Sequence, residues 1–136
     1  MSNYLNKNGK NVAVIGSRNF DDYELLKNYL DERLDKIKYI VSGGAAGGDE
    51  LGRRYAEERG LPVIIYYPRW RDKNGVFSRS AGFTRNIEIV KSSDVIVAFM
   101  QRGGSKGTQH SIDIAKRLGK PVSIIEFTPK EKEIDI

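Results

Sequence analysis

The sequence predicts an α/β fold in which a mostly parallel sheet of about five strands carries helices on both faces. Short continuous apolar runs alternate with amphipathic segments, and the first and last of these runs are 11–15 and 122–127. Continuous apolar runs are typical of strands buried on both faces of a parallel sheet. Two predicted helices end alike, at Gly60 and Gly119, each with a proline two residues later that leads into the next run. Because crossovers between parallel strands are right-handed, this alternation predicts a doubly wound sheet.

The first third of the chain is predicted to form a strand and a long helix. The strand covers 11–15 and ends at Gly16, and the helix covers about 22–36. Asp21 and Glu24 have the spacing of a capping box, which marks a helix N-terminus. Apolar residues recur every three or four positions, at Leu26, Leu30, Leu34 and Ile37. This spacing places them on one helix face, toward the core.

The middle of the chain is predicted to contribute two strands and one helix. A strand over 39–41 precedes a helix that Asp49 is predicted to cap and that Gly60 ends. The next strand covers 61–67 and is followed by a polar loop over 68–80.

The last third is predicted to contain two more helices and two more strands. The first helix is indicated by three apolar residues at helical spacing, Phe83, Ile87 and Val90. A strand over 94–99 follows. The last helix is indicated by Ile112, Ala115 and Leu118. It ends at Gly119, before the final strand over 122–127.

Length and composition predict one cytoplasmic domain. The chain has 136 residues and no cysteine, which excludes disulfides and thiolate metal sites and fits a reducing compartment. No apolar segment has the length of a signal peptide core or a membrane span, so no membrane association is expected. We expect a flexible N-terminal arm over 1–10, a single domain over 11–127 and a charged tail over 128–136.

The positive charge is concentrated in one region. Residues 66–106 contain eight Lys or Arg and three Asp or Glu, which accounts for the whole net charge of +5. A local excess of this kind favours a polyanionic partner, either nucleic acid or a phosphorylated small molecule. A solvated basic surface is the alternative.

Three of the four predicted strand-to-helix connections are rich in glycine or small polar residues. The first is Gly16, Ser17 and Arg18. The second, the central glycine loop, covers 43–48 and follows Ser42, and its candidate ligand-binding residues are Gly43, Gly44, Ala45, Gly47 and Asp49. The third, the C-terminal glycine loop, covers 103–108, with the candidates Gly103, Gly104, Ser105, Gly107 and Thr108.

These three connections are expected to converge beyond the carboxyl ends of the strands, where ligands bind in open α/β sheets. Glycine removes the Cβ atom, so backbone N–H groups at the positive end of the following helix can approach a phosphate. A tight strand-to-helix crossing that needs glycine only for close packing is the alternative. The dinucleotide pattern Gly-x-Gly-x-x-Gly is absent after the first strand, and the C-terminal glycine loop lacks the Gly-Lys-Ser/Thr of a P-loop.

Arginines and one tryptophan are the side chains most suited to a nucleotide. Arg85, with Asn86 beside it, starts a predicted helix from which a guanidinium group can reach a phosphate, and Arg18 follows the first strand. Trp70 lies between Arg69 and Arg71, a combination suited to base stacking and phosphate pairing. A place in the core or in an oligomer interface is the alternative for Trp70.

Asp49 is the candidate acid or base, and it could instead contact a ribose hydroxyl or cap its own helix. His110, the only histidine, is predicted to be an exposed helix residue, with a ligand contact as the alternative. One histidine without cysteine partners gives no zinc site, so no metal is expected.

Four segments together resemble the successive motifs of the SLOG superfamily, which includes DprA, the LOG phosphoribohydrolases and the YspA/YpsA-type domains. They are 12–20, 41–49, 84–99 and 103–108. The resemblance spans 12–127, and the short form with Gly-Ser-Arg-Asn-Phe is most similar to the YspA-like branch.

The resemblance implies a Rossmann-like domain that binds nucleotides or nucleotide-derived ligands, including signals made from NAD, and it implies a homodimer or homotetramer. Arg85 matches an arginine that assists catalysis in LOG enzymes. The positions of the LOG glutamates hold His110 and Ser111 here. Because glycoside hydrolysis needs a carboxylate, this departure argues against that activity.

Three functions therefore remain. The first is a binding module that senses or sequesters a nucleotide or ADP-ribose-type ligand, for example a bacterial or phage-encoded sponge, with no cofactor beyond that ligand. The second is a hydrolase or transferase acting on the N-glycosidic bond of a nucleotide through Asp49. The third is a DprA-like single-stranded nucleic-acid binder that uses the basic region and Trp70.

Overall fold

The computed structural model of the protein describes residues 8–129. The arm predicted over 1–10 and the tail predicted over 128–136 therefore lie mostly outside the described residues. The elements, in chain order, are β1 Lys10–Gly16, α1 Tyr23–Asp31, β2 Ile37–Ser42, α2 Gly48–Arg59, β3 Val63–Ile65, α3 Ala81–Lys91, β4 Val95–Gln101, α4 Lys106–Arg117 and β5 Val122–Phe127.

The five strands form one sheet in the order β3-β2-β1-β4-β5, and all neighbouring strands are parallel. The chain therefore builds outward from β1 in one direction, to β2 and β3, and then returns to place β4 on the other side of β1. This arrangement confirms the predicted doubly wound α/β sheet. It also puts the switch in strand order between β1 and β4, where the loops leaving the two strands diverge.

Alternate side chains of the sheet enter two cores. On one face, Val12 and Val14 of β1 pack with residues of α1 and α2, including Leu26 and Tyr55. On the other face, Ala13 and Ile15 pack with residues of α3 and α4. Residues 12–15 of β1 are buried on both faces of the sheet, and all four are apolar.

The first helix is shorter than predicted. It ends at Asp31, and a 3-10 turn over Leu34–Lys36 follows. Ile37, predicted to lie on the helix, is the first residue of β2 and pairs with Lys10, and it is 2% exposed in the same core as Leu30. The regular apolar spacing from Leu26 to Ile37 therefore reflects burial in one shared core and does not indicate a continuous helix. The N-cap is also one residue later than predicted, because the carboxylate of Asp22 accepts a hydrogen bond from the backbone N–H of Leu25.

α3 contacts the core through a face that includes the predicted Val90 but not the predicted Phe83 and Ile87. Phe83 and Ile87 are 50% and 37% exposed, whereas Ile89 and Val90 are buried. Leu118, one of the three apolar residues that indicated the last helix, is likewise 46% exposed and lies one residue beyond the end of α4. None of the helices described between residues 8 and 129 has the length and apolar character needed to cross a membrane.

Candidate ligand-binding site

A cavity of about 440 Å³ lies at the carboxyl ends of β1 and β4, where the strand order switches. It is lined by the connections that follow β1, β2 and β4, by the middle of α3 and by the first two turns of α4. The predicted residues in its wall are Gly16, Ser17, Arg18, Ala45, Asp49, Arg85, Asn86, Ser105, Gly107 and Thr108. The convergence of the three loops is therefore present in the structure.

Ser17 holds the loop after β1 against the neighbouring strand. Its backbone N–H donates to the carbonyl of Phe99 at 3.1 Å, and its hydroxyl accepts a hydrogen bond from the backbone N–H of Gln101 at 3.2 Å. The side chain is 3% exposed. Ser17 thus fixes the cavity floor across the β1–β4 pair, while Arg18 is exposed at the rim.

The central glycine loop contributes alanines to the cavity, not glycines. Ala45 and Ala46 line it. A Cβ added at Gly44 would meet the ring of Tyr67, and one added at Gly47 would meet the backbone of the loop after β1. Ser42 points to α2, where its hydroxyl donates to the carbonyl of Asp49 at 2.9 Å. The glycines of this loop are therefore needed for close packing. This agrees with the alternative prediction of a tight strand-to-helix crossing.

Asp49 does not cap α2 as predicted. The helix begins at Gly48, and the carboxylate of Asp49 turns back to accept a hydrogen bond from the backbone N–H of Ala45 at 3.2 Å. Asp49 is 7% exposed and belongs to the cavity wall. Burial raises the pKa of Asp49 to about 6, although the positive charge of Arg85 and the N–H of Ala45 act in the opposite direction.

Arg85 is held in place by a chain of hydrogen bonds. Its Nη1 donates to the carbonyl of Gly43, and its Nε donates to the side-chain oxygen of Asn86 at 3.0 Å. The amide nitrogen of Asn86 lies 3.3 Å from Nδ1 of His110. Since this amide nitrogen can only donate, Nδ1 accepts and the imidazole proton resides on Nε2.

His110 therefore supports the site from outside the cavity wall. Its ring packs edge-on against Phe83, with 4.5 Å between ring centroids. Burial lowers the pKa of His110, as does the positive charge of Arg117, while Asp113 opposes them. Only the neutral imidazole can accept the hydrogen bond from the Asn86 amide. The lowered pKa and this hydrogen bond therefore both favour the neutral form of His110.

The C-terminal glycine loop presents the start of α4 to the cavity. Gly103 and Gly104 form the turn, with φ of 94° and 95°, and lie outside the cavity lining described by the structure. Ser105 and Gly107 line the cavity, and Thr108 is 5% exposed beside them. The N-terminal end of α4, where a helix carries partial positive charge, therefore adjoins the cavity.

Several wall residues were not predicted, namely Ile15, Asn19, Ala46, Ile89, Gln101 and Ser111. Gln101 and Asn19 could have been found from the rule that residues just beyond a strand lie at the site edge. Trp70, in contrast, was predicted as a ligand contact, yet it lies outside the described cavity wall and stacks on Phe77, with 6.2 Å between ring centroids. Between residues 8 and 129, no group of three or more acidic, histidine or cysteine side chains is placed to hold a metal ion.

An all-parallel, doubly wound sheet with a polar cavity at its switch point defines a Rossmann-like protein. The chain belongs to the YspA, cpYpsA-related SLOG family, whose profile matches residues 10–72. The membership and the YspA-like branch predicted from the sequence motifs are thereby confirmed.

Similarity to individual proteins extends further along the chain. It is 33% identical over 124 residues to the Gene 61 protein of Mycobacterium phage D29, covering 83% of this chain and 94% of that protein. It is 28% identical over 99 residues to the large ribosomal subunit protein uL4 of Sulfurisphaera tokodaii, covering 69% of this chain and 35% of that protein.

The fold is similar to that of DNA processing protein A from Helicobacter pylori, which was described for its single-stranded DNA binding mode. The TM-score is 0.64 at 21% identity, and the match covers 88% of this chain and 66% of that chain. At this identity the likeness concerns the fold.

Proposed function

We propose that the protein binds a nucleotide or nucleotide-derived ligand, such as an ADP-ribose-type molecule, and acts as a sensor or as a sequestering protein. The observation that carries this proposal is the convergence of three loops, two arginines and the start of α4 on one cavity at the switch point. Membership of the YspA, cpYpsA-related SLOG family supports it.

The phosphate is expected at the start of α4. A Cβ added at Gly107 would meet no atom of the described residues within 4 Å, so the backbone there is open to a ligand. Arg85 supplies a fixed positive charge, because two of its nitrogens are already oriented by Gly43 and Asn86. Arg18, which is exposed at the rim of the cavity, supplies a second positive charge. Orientation before binding favours affinity, since less side-chain freedom is lost.

Catalysis is not required by this arrangement. Asp49 is the one carboxylate among the described residues that line the cavity, and it already accepts the N–H of Ala45. If the protein cleaves an N-glycosidic bond, Asp49 is its acid or base, because a carboxyl group with a pKa of about 6 can hold or release a proton near neutral pH. Product formation that is lost in Asp49→Asn would support this second function.

Single-stranded nucleic acid is the other candidate ligand. The basic region over 66–106 supports it, as does the fold shared with a DNA processing protein described as binding single-stranded DNA. A strand that contacts several phosphates loses affinity steeply with salt, at a slope of about −0.7 per phosphate in logarithmic units. A single nucleotide-derived ligand gives a much shallower dependence.

Native mass spectrometry of the purified protein tests the proposal. We expect a bound small molecule that denaturation releases and that contains a nucleotide, and the same spectrum counts the subunits of the predicted homo-oligomer. Affinity for the released molecule, or for ADP-ribose if none is found, should fall at least tenfold in Arg85→Ala.

Arg102→Ala is the matched control, because Arg102 is an exposed arginine outside the described cavity wall. The two variants lose the same charge, so general electrostatic attraction changes equally. Equal affinity in the parent, Arg85→Ala and Arg102→Ala would contradict the proposed site.

A further inference from the structure

A second cavity, of about 640 Å³, adjoins the first across Arg85, which lines both. We call it the aromatic cleft. Its wall is formed by the loop after β3 and by one side of α3, and the residues used below are Tyr67, Arg69, Arg71, Lys73, Phe77 and Arg85. Because Arg85 lines both cavities, the cleft adjoins the proposed nucleotide site.

The loop that builds the cleft is held in a hairpin-like shape by its own hydrogen bonds. The backbone N–H of Ser78 donates to the carbonyl of Trp70 at 2.7 Å, and Arg71 and Phe77 form an antiparallel bridge. The carboxylate of Asp72 accepts the backbone N–H groups of Asn74 and Val76, at 2.8 and 2.9 Å. The loop therefore presents its side chains from a defined backbone.

Two aromatic rings of the cleft are exposed to solvent. Phe77 is 53% exposed and Tyr67 is 65% exposed. Trp70 stacks behind Phe77 with 13° between the ring planes, which fixes the orientation of the Phe77 ring. An exposed ring that is oriented in this way, as Phe77 is, is suited to stacking on a flat partner, because little freedom is lost on binding.

The charges around these rings indicate the chemistry of that partner. Four cations, Arg69, Arg71, Lys73 and Arg85, line the cleft. Two acids, Asp72 and Glu88, also line it, and the carboxylate of Asp72 is occupied by two backbone N–H groups. Flat rings among excess cations favour a nucleobase with a phosphate attached to it.

We propose that the ligand contains two nucleoside units joined through phosphate, one in the switch-point cavity and the other with its base on the aromatic cleft. Arg85 lies where the two cavities meet and contacts the linking phosphate. This inference rests on the proposed function. A small dinucleotide and a single strand of nucleic acid share this chemistry, and the experiment separates them.

Isothermal titration with two matched probes tests the inference. Diadenosine diphosphate and ADP-ribose share an adenosine, a pyrophosphate and a second ribose, and they differ by the second adenine. We expect diadenosine diphosphate to bind about tenfold more tightly, a difference typical of one stacked base. The advantage should disappear in Phe77→Leu and remain in Phe77→Tyr, because leucine retains apolar bulk and loses the ring face.

Ile124→Ala is the control, since Ile124 is 51% exposed, close to the 53% of Phe77, and lies outside the described walls of both cavities. A decathymidylate probe shows whether the ligand is a small dinucleotide or a single strand of nucleic acid. We assign the second unit to a strand if decathymidylate binds more tightly than diadenosine diphosphate, with a steep salt dependence, and if Phe77→Leu weakens its binding to the same extent. Equal affinity of the parent for the two small probes, together with no effect of Phe77→Leu on decathymidylate, would overturn the inference.

The inference can fail while the proposed function stands. If ADP-ribose binds and Arg85→Ala weakens it while Phe77→Leu changes no affinity, the switch-point site stands and the two-unit ligand does not. Absence of binding for all three probes would overturn both.

Discussion

The central and C-terminal glycine loops are similar in composition and opposite in surroundings. A Cβ added to any of the four glycines of the central loop would come within 3.0 Å of another protein atom. A Cβ added to any of the three glycines of the C-terminal loop would meet no atom of the described residues within 4 Å. Glycine is thus required in the first loop because protein fills the space, and in the second because of the backbone turn at Gly103 and Gly104.

This difference separates two uses of a glycine-rich turn in a doubly wound sheet. In the central loop, glycine lets α2 cross β1 closely, with Gly48 packed on Gly16. In the C-terminal loop, the space left by Gly107 opens into the cavity. Of the two loops, only the C-terminal loop therefore has glycines that leave open space for a phosphate.

The largest expected effect comes from Gly48→Ala. The added Cβ would lie 2.5 Å from the Cα of Gly16, so helix and strand must separate. We expect a loss near the upper end of the ~1–3 kcal/mol typical of overpacking, measured by urea unfolding. Gly107→Ala, the same change in the open loop, should leave the free energy of unfolding within about 0.5 kcal/mol of the parent. Equal losses in the two variants would contradict the comparison.

Asp49→Asn should reveal how strongly the packed loop buries a carboxylate. Folding raises the pKa of Asp49 from 3.8 to about 6, because burial disfavours the ionised carboxylate. Below pH 3.8 the carboxyl group is protonated in both the folded and the unfolded state, so its burial costs no stability. As pH rises through about 6, the protein loses stability because the folded state holds the proton more tightly than the unfolded state. At 1.36 kcal/mol per pKa unit, the variant should be more stable than the parent by up to about 3 kcal/mol at pH 8. The difference should vanish near pH 4. A gap between the two proteins that is independent of pH would argue against this burial.

Gly44→Ala and Gly104→Ala compare two glycines with positive φ, 70° and 95°. Both substitutions strain the backbone, at about 1 kcal/mol, and only the first also meets a ring, that of Tyr67. We therefore expect Gly44→Ala to lose about 2 kcal/mol of unfolding free energy and Gly104→Ala about 1 kcal/mol. In a Tyr67→Ala background the ring is absent, so Gly44→Ala should lose only the ~1 kcal/mol that comes from backbone strain.

The smallest effect on stability is expected for Gly107→Val. Its side chain would extend into open space, so the melting temperature should stay within a few degrees of the parent, corresponding to about 0.5 kcal/mol. Affinity for ADP-ribose should nevertheless fall at least tenfold, because the valine occupies the expected phosphate position. Gly82→Val is the matched control, because Gly82 is a helical glycine outside the described cavity wall where an added Cβ makes only an ordinary 3.5 Å contact with the ring of Trp70. Unchanged affinity in Gly107→Val would remove this loop from the proposed site.

Much of the fold could be predicted from local patterns. The five strands, the glycine ends of α2 and α4 and the arrival of three polar loops at one edge all follow from runs and spacings of nearby residues. The errors arose where distant contacts outweighed local spacing. Leu34 and Ile37 continue the helical period of α1, yet pairing with Lys10 places Ile37 in β2. Phe83 and Ile87 have core spacing, yet they remain exposed.

Local patterns along the chain predict the order of strands and helices, the glycine turns and the types of polar residue that follow each strand, because these features depend on neighbouring residues. Only the three-dimensional packing shows which glycines face protein and which face the cavity. It also shows that Arg85 is oriented by a carbonyl 42 positions away and that Asp49 is buried. Such features depend on contacts between residues far apart in sequence, which no local spacing encodes.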